Sequence, residues 1–224
     1  MDSFIPRFFE IGALSAIIYL LGFCYRAAST PKTILKTLSI GALAVASLIA
    51  GAPIWLTLAL AACALGDYFL SRDGAADFIK GVGAFAVGHL FYIVLFLTDP
   101  LSNTSLITIN SRVAILSVLI IMSLLMMGIL WFYAGKLRQA VLGYITIITA
   151  MGIAAATLPW QTNYDIVMLG VMFFILSDLI LAMQLFLMTK DAWTIKTAPF
   201  LVWVFYWLAQ MLITAGFVLR VLQS

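Results

Sequence analysis

The chain has 224 residues, of which 65% are hydrophobic and 9% are charged, and its formal net charge is +3. A soluble domain carries about a quarter charged residues, so this composition excludes a soluble globular protein and indicates a chain that lies in lipid. The basic residues form no tract suited to nucleic acid. Both cysteines, Cys24 and Cys63, lie within apolar runs, which indicates free thiols rather than a disulfide or a metal pair.

Eight segments are apolar enough to cross a membrane, which takes roughly 20 residues per helix. Helices are predicted rather than barrel strands, because lipid offers backbone groups no partners and these segments do not alternate polar with apolar residues. Nothing about the first segment resembles a cleaved signal peptide, so we interpret it as a retained span. The sequence therefore predicts an all-α fold, an integral membrane bundle forming one transmembrane domain over residues 1–224. The predicted spans are 8–25, 35–52, 54–71, 81–98, 112–134, 138–157, 164–188 and 197–221.

The distribution of Lys and Arg predicts the orientation of the bundle. Of the 12 basic residues, nine lie in or near the loops after the odd-numbered spans, and three (Arg7, Arg112 and Arg220) lie on the other side. Cytoplasmic loops carry the excess of basic residues in membrane proteins. We therefore expect both termini to be extracytoplasmic. The nine are Arg26, Lys32, Lys36, Arg72, Lys80, Lys136, Arg138, Lys190 and Lys196.

Two carboxylates lie inside predicted spans, Asp67 in LGDYFLS and Asp178 in LSDLILA. An ionised Asp in a bilayer costs at least about 2.5–3.5 kcal/mol on insertion scales, so such residues are functional candidates by default. The structural alternative for Asp67 is a helix-end charge that reaches water beside Arg72. The two motifs are offset by 111 residues (178 minus 67), close to half the chain. This offset favours two parallel four-helix halves.

Other polar residues accompany the two carboxylates. His89 is followed one helical turn later by Tyr92, and Tyr206, Gln210 and Thr214 form a polar stripe on the eighth span. The alternatives are a hydrogen-bonded core histidine for His89 and an interfacial lysine for Lys36, near the start of the second span.

Two further patterns indicate packing rather than chemistry. Small residues at 81, 84 and 88 indicate close helix packing beside His89. Trp193, Trp203 and Trp207 are typical of an aromatic belt and of packing.

Several chemistries are excluded by what the sequence lacks. One histidine cannot supply a His-rich zinc or haem site. The chain contains no G-x-S-x-G, H-E-x-x-H or nucleotide-binding G-x-x-x-x-G-K-[ST] motif. What remains is acid–base chemistry by two carboxylates, and two acids in an apolar site are expected to differ in protonation.

The motifs together resemble the YhhN-like membrane proteins, which include the animal lysoplasmalogenases. The matching stretches are LGDYFLS, FIKGVGAFAVGHLFYIVLF, AVLGYITIITAM, GVMFFILSDLILA and FYWLAQMLITAG, from about Lys36 to Gly216. The resemblance implies an eight-helix topology and hydrolysis of the vinyl ether bond of a lysoplasmalogen. The products are a fatty aldehyde and glycerophosphoethanolamine or glycerophosphocholine.

The resemblance also implies the site residues. The catalytic pair is Asp67 and Asp178, and the expected substrate-binding residues are Lys36, His89, Tyr92, Tyr144, Tyr206 and Gln210. Lys36 lies in LKTLS where a Lys-Pro step is expected, which leaves Lys32 as the alternative lysine.

Vinyl ether hydrolysis begins with protonation of the carbon β to oxygen, and an Asp pair performs it without metal or cofactor. Asp178, deeper in its span, is the expected proton donor, and Asp67 is the expected ionised partner, with Lys36 a candidate for the substrate phosphate. The expected partners are a lysophospholipid substrate and membrane lipids, and the expected location is the bacterial inner membrane. Two rival functions stay open: a transporter or flippase for a lysolipid or small solute, and a structural or sensory membrane protein.

Overall fold

The computed structural model describes residues 4–160, 163–188 and 193–223, and these residues form a bundle of eight α-helices. The prediction of an all-α membrane bundle is confirmed. Two short 3-10 helices, Thr104–Thr108 and Gly135–Leu137, precede the fifth and sixth α-helices. The helices are α1 Phe4–Gly22, α2 Thr30–Ile49, α3 Ile54–Leu70, α4 Ala75–Thr98, α5 Asn110–Tyr133, α6 Arg138–Ala155, α7 Tyr164–Phe186 and α8 Trp193–Gln223.

Seven of these helices are long and apolar enough to span a membrane. The exception is α3, an apolar helix of 17 residues. At a rise of 1.5 Å per residue it extends about 26 Å, which lies at the short end of the range for a span. It packs between its two neighbours in the chain, α2 and α4.

The helix contacts follow a two-fold pattern that agrees with two parallel halves, α1–α4 and α5–α8. The hairpin α3–α4 corresponds to the hairpin α7–α8, and both pack extensively. The last helix of each half also packs on the second helix of the other half, α4 on α6 and α8 on α2. These two crossings correspond under the two-fold pattern, and α1 also contacts α8 between the halves.

Close helix packing in both hairpins depends on glycine. A Cβ at Gly88 of α4 would lie 2.7 Å from Cys63 Sγ and 3.2 Å from the Ala59 carbonyl of α3. A Cβ at Gly170 of α7 would lie 2.9 Å from the Ala209 carbonyl of α8. Small residues let helices approach in lipid, where van der Waals packing replaces the hydrophobic driving force. The spacing around Gly88 therefore has the packing role that the sequence indicates, and it brings His89 into the bundle.

The main core lies among all the helices except α5, which packs chiefly on α6. Most large side chains on α5 are exposed and apolar, including Val118, Leu124 and Phe132. This pattern suits a helix that faces lipid along most of its surface. The residues of the main core therefore come from the other seven helices.

The end of the bundle where α1 begins and α4, α6 and α8 end is tied together by polar contacts. Arg220 of α8 donates to the Asp99 carboxylate and to the Tyr164 hydroxyl, and Tyr164 donates to Asp99 Oδ1 at 2.7 Å. Arg112 of α5 donates to the carbonyls of Ala156 and Leu158. The first set of bonds joins the ends of α4 and α8 to the start of α7, and the second joins the end of α6 to the start of α5.

Candidate active site

Asp67 lies in the last turn of α3 and is fully buried. Lys36 of α2 places its Nζ 3.1 Å from Asp67 Oδ1, and Tyr206 of α8 donates its hydroxyl to Asp67 Oδ2 at 2.7 Å. Arg72, the partner in the structural alternative, instead contacts Asp77, with Nε and Oδ2 3.6 Å apart. Asp67 is therefore an internal carboxylate with a cation and a hydroxyl donor, rather than a helix-end charge in water.

Asp178 of α7 has a different set of partners. Tyr144 of α6 donates its hydroxyl to Asp178 Oδ2 at 2.7 Å, and Ser177 donates to Oδ1 at 3.5 Å. His89 of α4 is fully buried and places Nε2 3.6 Å from the same Oδ2. Among the ion pairs of the described residues, His89 is the partner of Asp178, and neither Lys nor Arg pairs with it.

The hydrogen bonding of His89 shows where a proton is held. His89 Nδ1 lies 2.7 Å from the Phe85 carbonyl, which can only accept, so Nδ1 carries a hydrogen. In a neutral imidazole the other nitrogen, Nε2, is then an acceptor. It faces a carboxyl oxygen that is also an acceptor when ionised, so the contact is favourable only with a proton on one of the two. At 3.6 Å the two atoms are too far apart for a hydrogen bond, so a proton on either group would favour a closer approach of His89 and Asp178.

The two carboxylates have matching surroundings under the two-fold pattern. Asp67 is contacted by Lys36 from the second helix of its own half and by Tyr206 from the last helix of the other half. Asp178 is contacted by Tyr144 from the second helix of its own half and by His89 from the last helix of the other. The helices that supply the contacts correspond but the chemistry differs, because the second helix supplies Lys36 in one half and Tyr144 in the other, and the last helix supplies Tyr206 or His89. The first carboxylate therefore has a permanent cation beside it and the second has a titratable base.

A single aromatic ring joins the two clusters. Phe174 of α7 is fully buried. Its centroid lies 4.6 Å from that of His89 and 5.4 Å from that of Tyr206, edge to face in both cases. His89 also meets Tyr144 edge to face, with centroids 5.4 Å apart. The clusters around Asp67 and Asp178 thus share one aromatic wall.

The remaining two predicted residues, Tyr92 and Gln210, bond to each other. The Tyr92 hydroxyl donates to Gln210 Oε1, and both side chains are fully buried. The Tyr92 ring also contacts Phe174, with centroids 6.2 Å apart. This pair connects α4 to α8 one helical turn beyond His89 and Tyr206, so it borders the site on the side away from Lys36.

Trp203 departs from the interpretation as part of an aromatic belt. It is buried, with 4% of its surface exposed, and its Nε1 donates to the Ala16 carbonyl at 3.2 Å. Lys36 Nζ lies 5.7 Å from the Trp203 ring centroid, and Tyr19 of α1 packs on that ring at 4.2 Å. Trp203 lies three residues before Tyr206 on α8, and this spacing is the signal that could have placed it beside the site. Trp193 lies outside the described side chains.

Tyr19 belongs to the site region, although no motif marks it. It is a buried polar side chain in an apolar span, which is the same criterion that selects Asp67. Lys32, the alternative to Lys36, donates instead to the Arg26 carbonyl in the preceding loop. The lysine beside the carboxylate is therefore Lys36.

These contacts define what the site can do. One carboxylate is held by a lysine, and a second lies 3.6 Å from the Nε2 of a buried histidine inside an apolar bundle. A fixed anion and a nearby proton donor are the two groups that stabilise and generate a carbocation.

The comparisons with known proteins give one match. The model of the YhhN family matches residues 31–217, which include every site residue named above except Tyr19. No curated protein and no solved structure matches the chain.

Proposed function

Since this chain belongs to the YhhN family, we propose that it is a membrane hydrolase that cleaves the vinyl ether bond of lysoplasmalogens. The products are a fatty aldehyde and glycerophosphoethanolamine or glycerophosphocholine. The observation that carries the proposal is the contrast between the partners of Asp67 and Asp178, a lysine at one carboxylate and a histidine at the other. That contrast suits a reaction that needs one proton donor and one permanent anion.

The first step is transfer of a proton to carbon. The Asp178–His89 pair gives its proton to the carbon β to the ether oxygen, and the C=C electron pair forms the new C–H bond. The ether oxygen then shares its lone pair with the α-carbon, which gives an oxocarbenium ion. Tyr144, whose hydroxyl is 2.7 Å from Asp178 Oδ2, stabilises the carboxylate left behind.

The second step is capture of the cation by water. Asp67, ionised beside Lys36, stabilises the positive charge across the site. Water adds to the α-carbon and returns one proton to the Asp178–His89 pair. The resulting hemiacetal breaks its C–O bond to the glycerol oxygen, moving its hydroxyl proton to that oxygen. The net reaction consumes one water and regenerates the enzyme.

In this mechanism Lys36 is a positioning residue for Asp67 rather than a phosphate ligand. Its Nζ is already in an ion pair, and 15% of its side chain is exposed. A Lys36→Met variant would therefore lower kcat more than it raises KM. A phosphate ligand would give the opposite result, a raised KM with kcat nearly unchanged.

The test is an assay of purified protein in lipid nanodiscs with three matched lysolipids, bearing alkenyl, acyl or alkyl chains. We expect aldehyde from the alkenyl lipid, and no fatty acid from the acyl lipid. Asp178→Asn should lower aldehyde formation by on the order of 10²-fold or more, a typical acid–base contribution. Asp165→Asn is the matched control, because Asp165 is exposed in the first turn of the same helix.

Two results would contradict the proposal. One is the absence of aldehyde from folded wild-type protein together with uptake of the lysolipid into sealed vesicles, which would identify a transporter. The other is full hydrolysis by a folded Asp67→Asn, Asp178→Asn double variant, which would leave the carboxylates a purely structural role.

A further inference from the structure

A groove lies at the end of the bundle opposite the Asp99–Arg220 contacts. Its volume is about 760 Å³, and it opens between the start of α2 and the end of α3. Charged and aromatic side chains from the α3–α4 connection form one wall, and hydroxyl-bearing residues of α2 form the other. The lining residues used below are Thr33, Tyr68, Ser71, Arg72, Asp73 and Asp77.

The charges in the groove are of both signs and lie side by side. Arg72 Nε is 3.6 Å from Asp77 Oδ2, and the Arg72 guanidinium lies 5.1 Å from the Tyr68 ring centroid. Asp73 adds a second carboxylate. Arg72 is 48% exposed and Asp77 is 23% exposed in this pair. An ion pair with this exposure contributes little free energy. Arg72 or Asp77 can therefore give up its partner and bind a ligand group instead.

The groove is adjacent to the catalytic carboxylate. Ser71 donates its backbone N–H to the Asp67 carbonyl one turn earlier, and its Oγ donates to Thr33 Oγ1 of α2 at 2.8 Å. Thr33 in turn lies three residues before Lys36. Arg72 lies two residues beyond the end of α3 at Leu70 and five residues after Asp67, which corresponds to about 7 Å at the rise of a helix. A ligand with one group on Arg72 therefore needs only a short linker to bring another group close to Asp67.

We propose that this groove binds the zwitterionic headgroup of the lysolipid, with the phosphate on Arg72 and the ammonium group against Asp73, Asp77 and Tyr68. The assignment rests on the proposed function for the identity of the ligand. The spacing fits, because the phosphorus and the α-carbon of the vinyl ether, where the cation beside Asp67 forms, lie roughly 8 Å apart in an extended chain of ordinary bond lengths. A guanidinium suits phosphate, while carboxylates and an aromatic face suit a quaternary or primary ammonium.

The predicted consequence is headgroup selectivity. A lipid with phosphate and ammonium satisfies both signs of charge in the groove. A lipid with phosphate and a neutral alcohol pairs only with Arg72. The negative charge of its phosphate then lies near two carboxylates with no ammonium group between them. We therefore expect choline and ethanolamine headgroups to bind at least about tenfold more tightly than glycerol headgroups, the difference of one charge-assisted interaction.

The experiment measures binding of lipids that cannot be hydrolysed, so its outcome does not depend on catalysis. The probes are 1-alkyl lysolipids with choline, ethanolamine or glycerol headgroups, titrated into purified protein in nanodiscs. Arg72→Gln should weaken all three by about tenfold. The double variant Asp73→Asn, Asp77→Asn should weaken binding of only the choline and ethanolamine lipids, and so remove the selectivity. Lys136→Gln is the control, since Lys136 lies outside the groove in another interhelical connection.

Competition identifies the source of the binding. Glycerophosphocholine should displace the choline lipid, whereas inorganic phosphate alone should displace it poorly. Equal affinity for the three headgroups, unchanged binding in the Arg72 and Asp73/Asp77 variants, or displacement by inorganic phosphate as strong as by glycerophosphocholine would each overturn the assignment. If selective binding is found but no aldehyde forms from the alkenyl lipid, the headgroup site stands and the proposed hydrolysis fails.

Discussion

Replacing Lys36 by Met tests the ion pair at the centre of the site. The substitution keeps the length of the side chain and removes its charge, so Asp67 stays fully buried with only the Tyr206 hydroxyl as a polar partner. At the observed Nζ–Oδ1 distance of 3.1 Å, two unit charges attract by roughly 5 kcal/mol at an effective dielectric constant of about 20. Breaking a buried pair by removing one partner costs about 3–5 kcal/mol in measured cases. We expect a loss of unfolding free energy in that range.

The double variant Lys36→Met, Asp67→Asn distinguishes the cost of an unpaired buried charge from other effects of the Lys36 substitution. With both charges gone, no unpaired ion is left in the apolar interior, and we expect most of the lost stability to return. Asp67→Asn alone should cost less than Lys36→Met alone. The reason is that Lys36 keeps 15% of its side chain exposed, whereas Asp67 keeps 1%.

The assay is equilibrium unfolding in mixed micelles as the fraction of SDS is raised, with Lys80→Met as the control. Lys80 is 59% exposed and lies 3.8 Å from Asp77, and an exposed pair contributes about 0–1 kcal/mol. The reasoning is refuted if Lys36→Met destabilises the protein no more than Lys80→Met. It is also refuted if the double variant is no more stable than Lys36→Met.

Three further predictions concern mechanism, packing and topology. In the proposed mechanism, carbon protonation by the Asp178–His89 pair is the slow step, so hydrolysis should be slower in D2O. Equal rates in H2O and D2O would show that another step limits turnover. Gly88→Ala should destabilise the bundle by about 1–3 kcal/mol through overpacking, since its Cβ would meet Cys63 Sγ at 2.7 Å. Gly83→Ala, with no atom within 4 Å of its Cβ, should not lower the stability. A cysteine replacing Asp2, in a chain without the native cysteines, should react with impermeant thiol reagents only from outside the cell, and labelling only from the cytoplasm would refute the predicted orientation.

The intramembrane residues could be found from the sequence because the cost of burying a polar group does not depend on the fold. Asp67 and Asp178 stand out in any apolar span. Their partners could not be found in this way. Tyr206 lies 139 residues from Asp67, and which side chains meet depends on the rotation and depth of each helix in the bundle. The sequence therefore predicts which polar residues lie inside the bundle, but not that lysine pairs with one carboxylate and histidine with the other.

Helix ends were predicted less well than helix interiors. The fourth span was predicted to begin at residue 81, whereas α4 begins at Ala75 and includes the polar turn ADFIK. Hydropathy indicates where a segment enters lipid. A helix can continue beyond that point when backbone hydrogen bonds and charged residues near its end stabilise it. Asp77 lies in the first turn of α4, where a negative charge stabilises the helix dipole. The burial of Trp203 also could not be predicted. An aromatic residue near the end of a span is buried or interfacial depending on the neighbouring helix, and composition does not reveal that neighbour.

The polar contacts among Asp99, Tyr164 and Arg220 bear on which leaflet of the membrane can supply a substrate. They fasten one end of the bundle, while the groove beside Arg72 opens at the other. A single-tailed amphiphile that docks by its headgroup at the open end keeps that headgroup in one leaflet throughout. Lysolipid in the opposite leaflet would reach the carboxylates only after crossing the bilayer by another route. Under the proposed function, hydrolysis would therefore depend on the lysolipid content of one leaflet and on how quickly lysolipids flip into it.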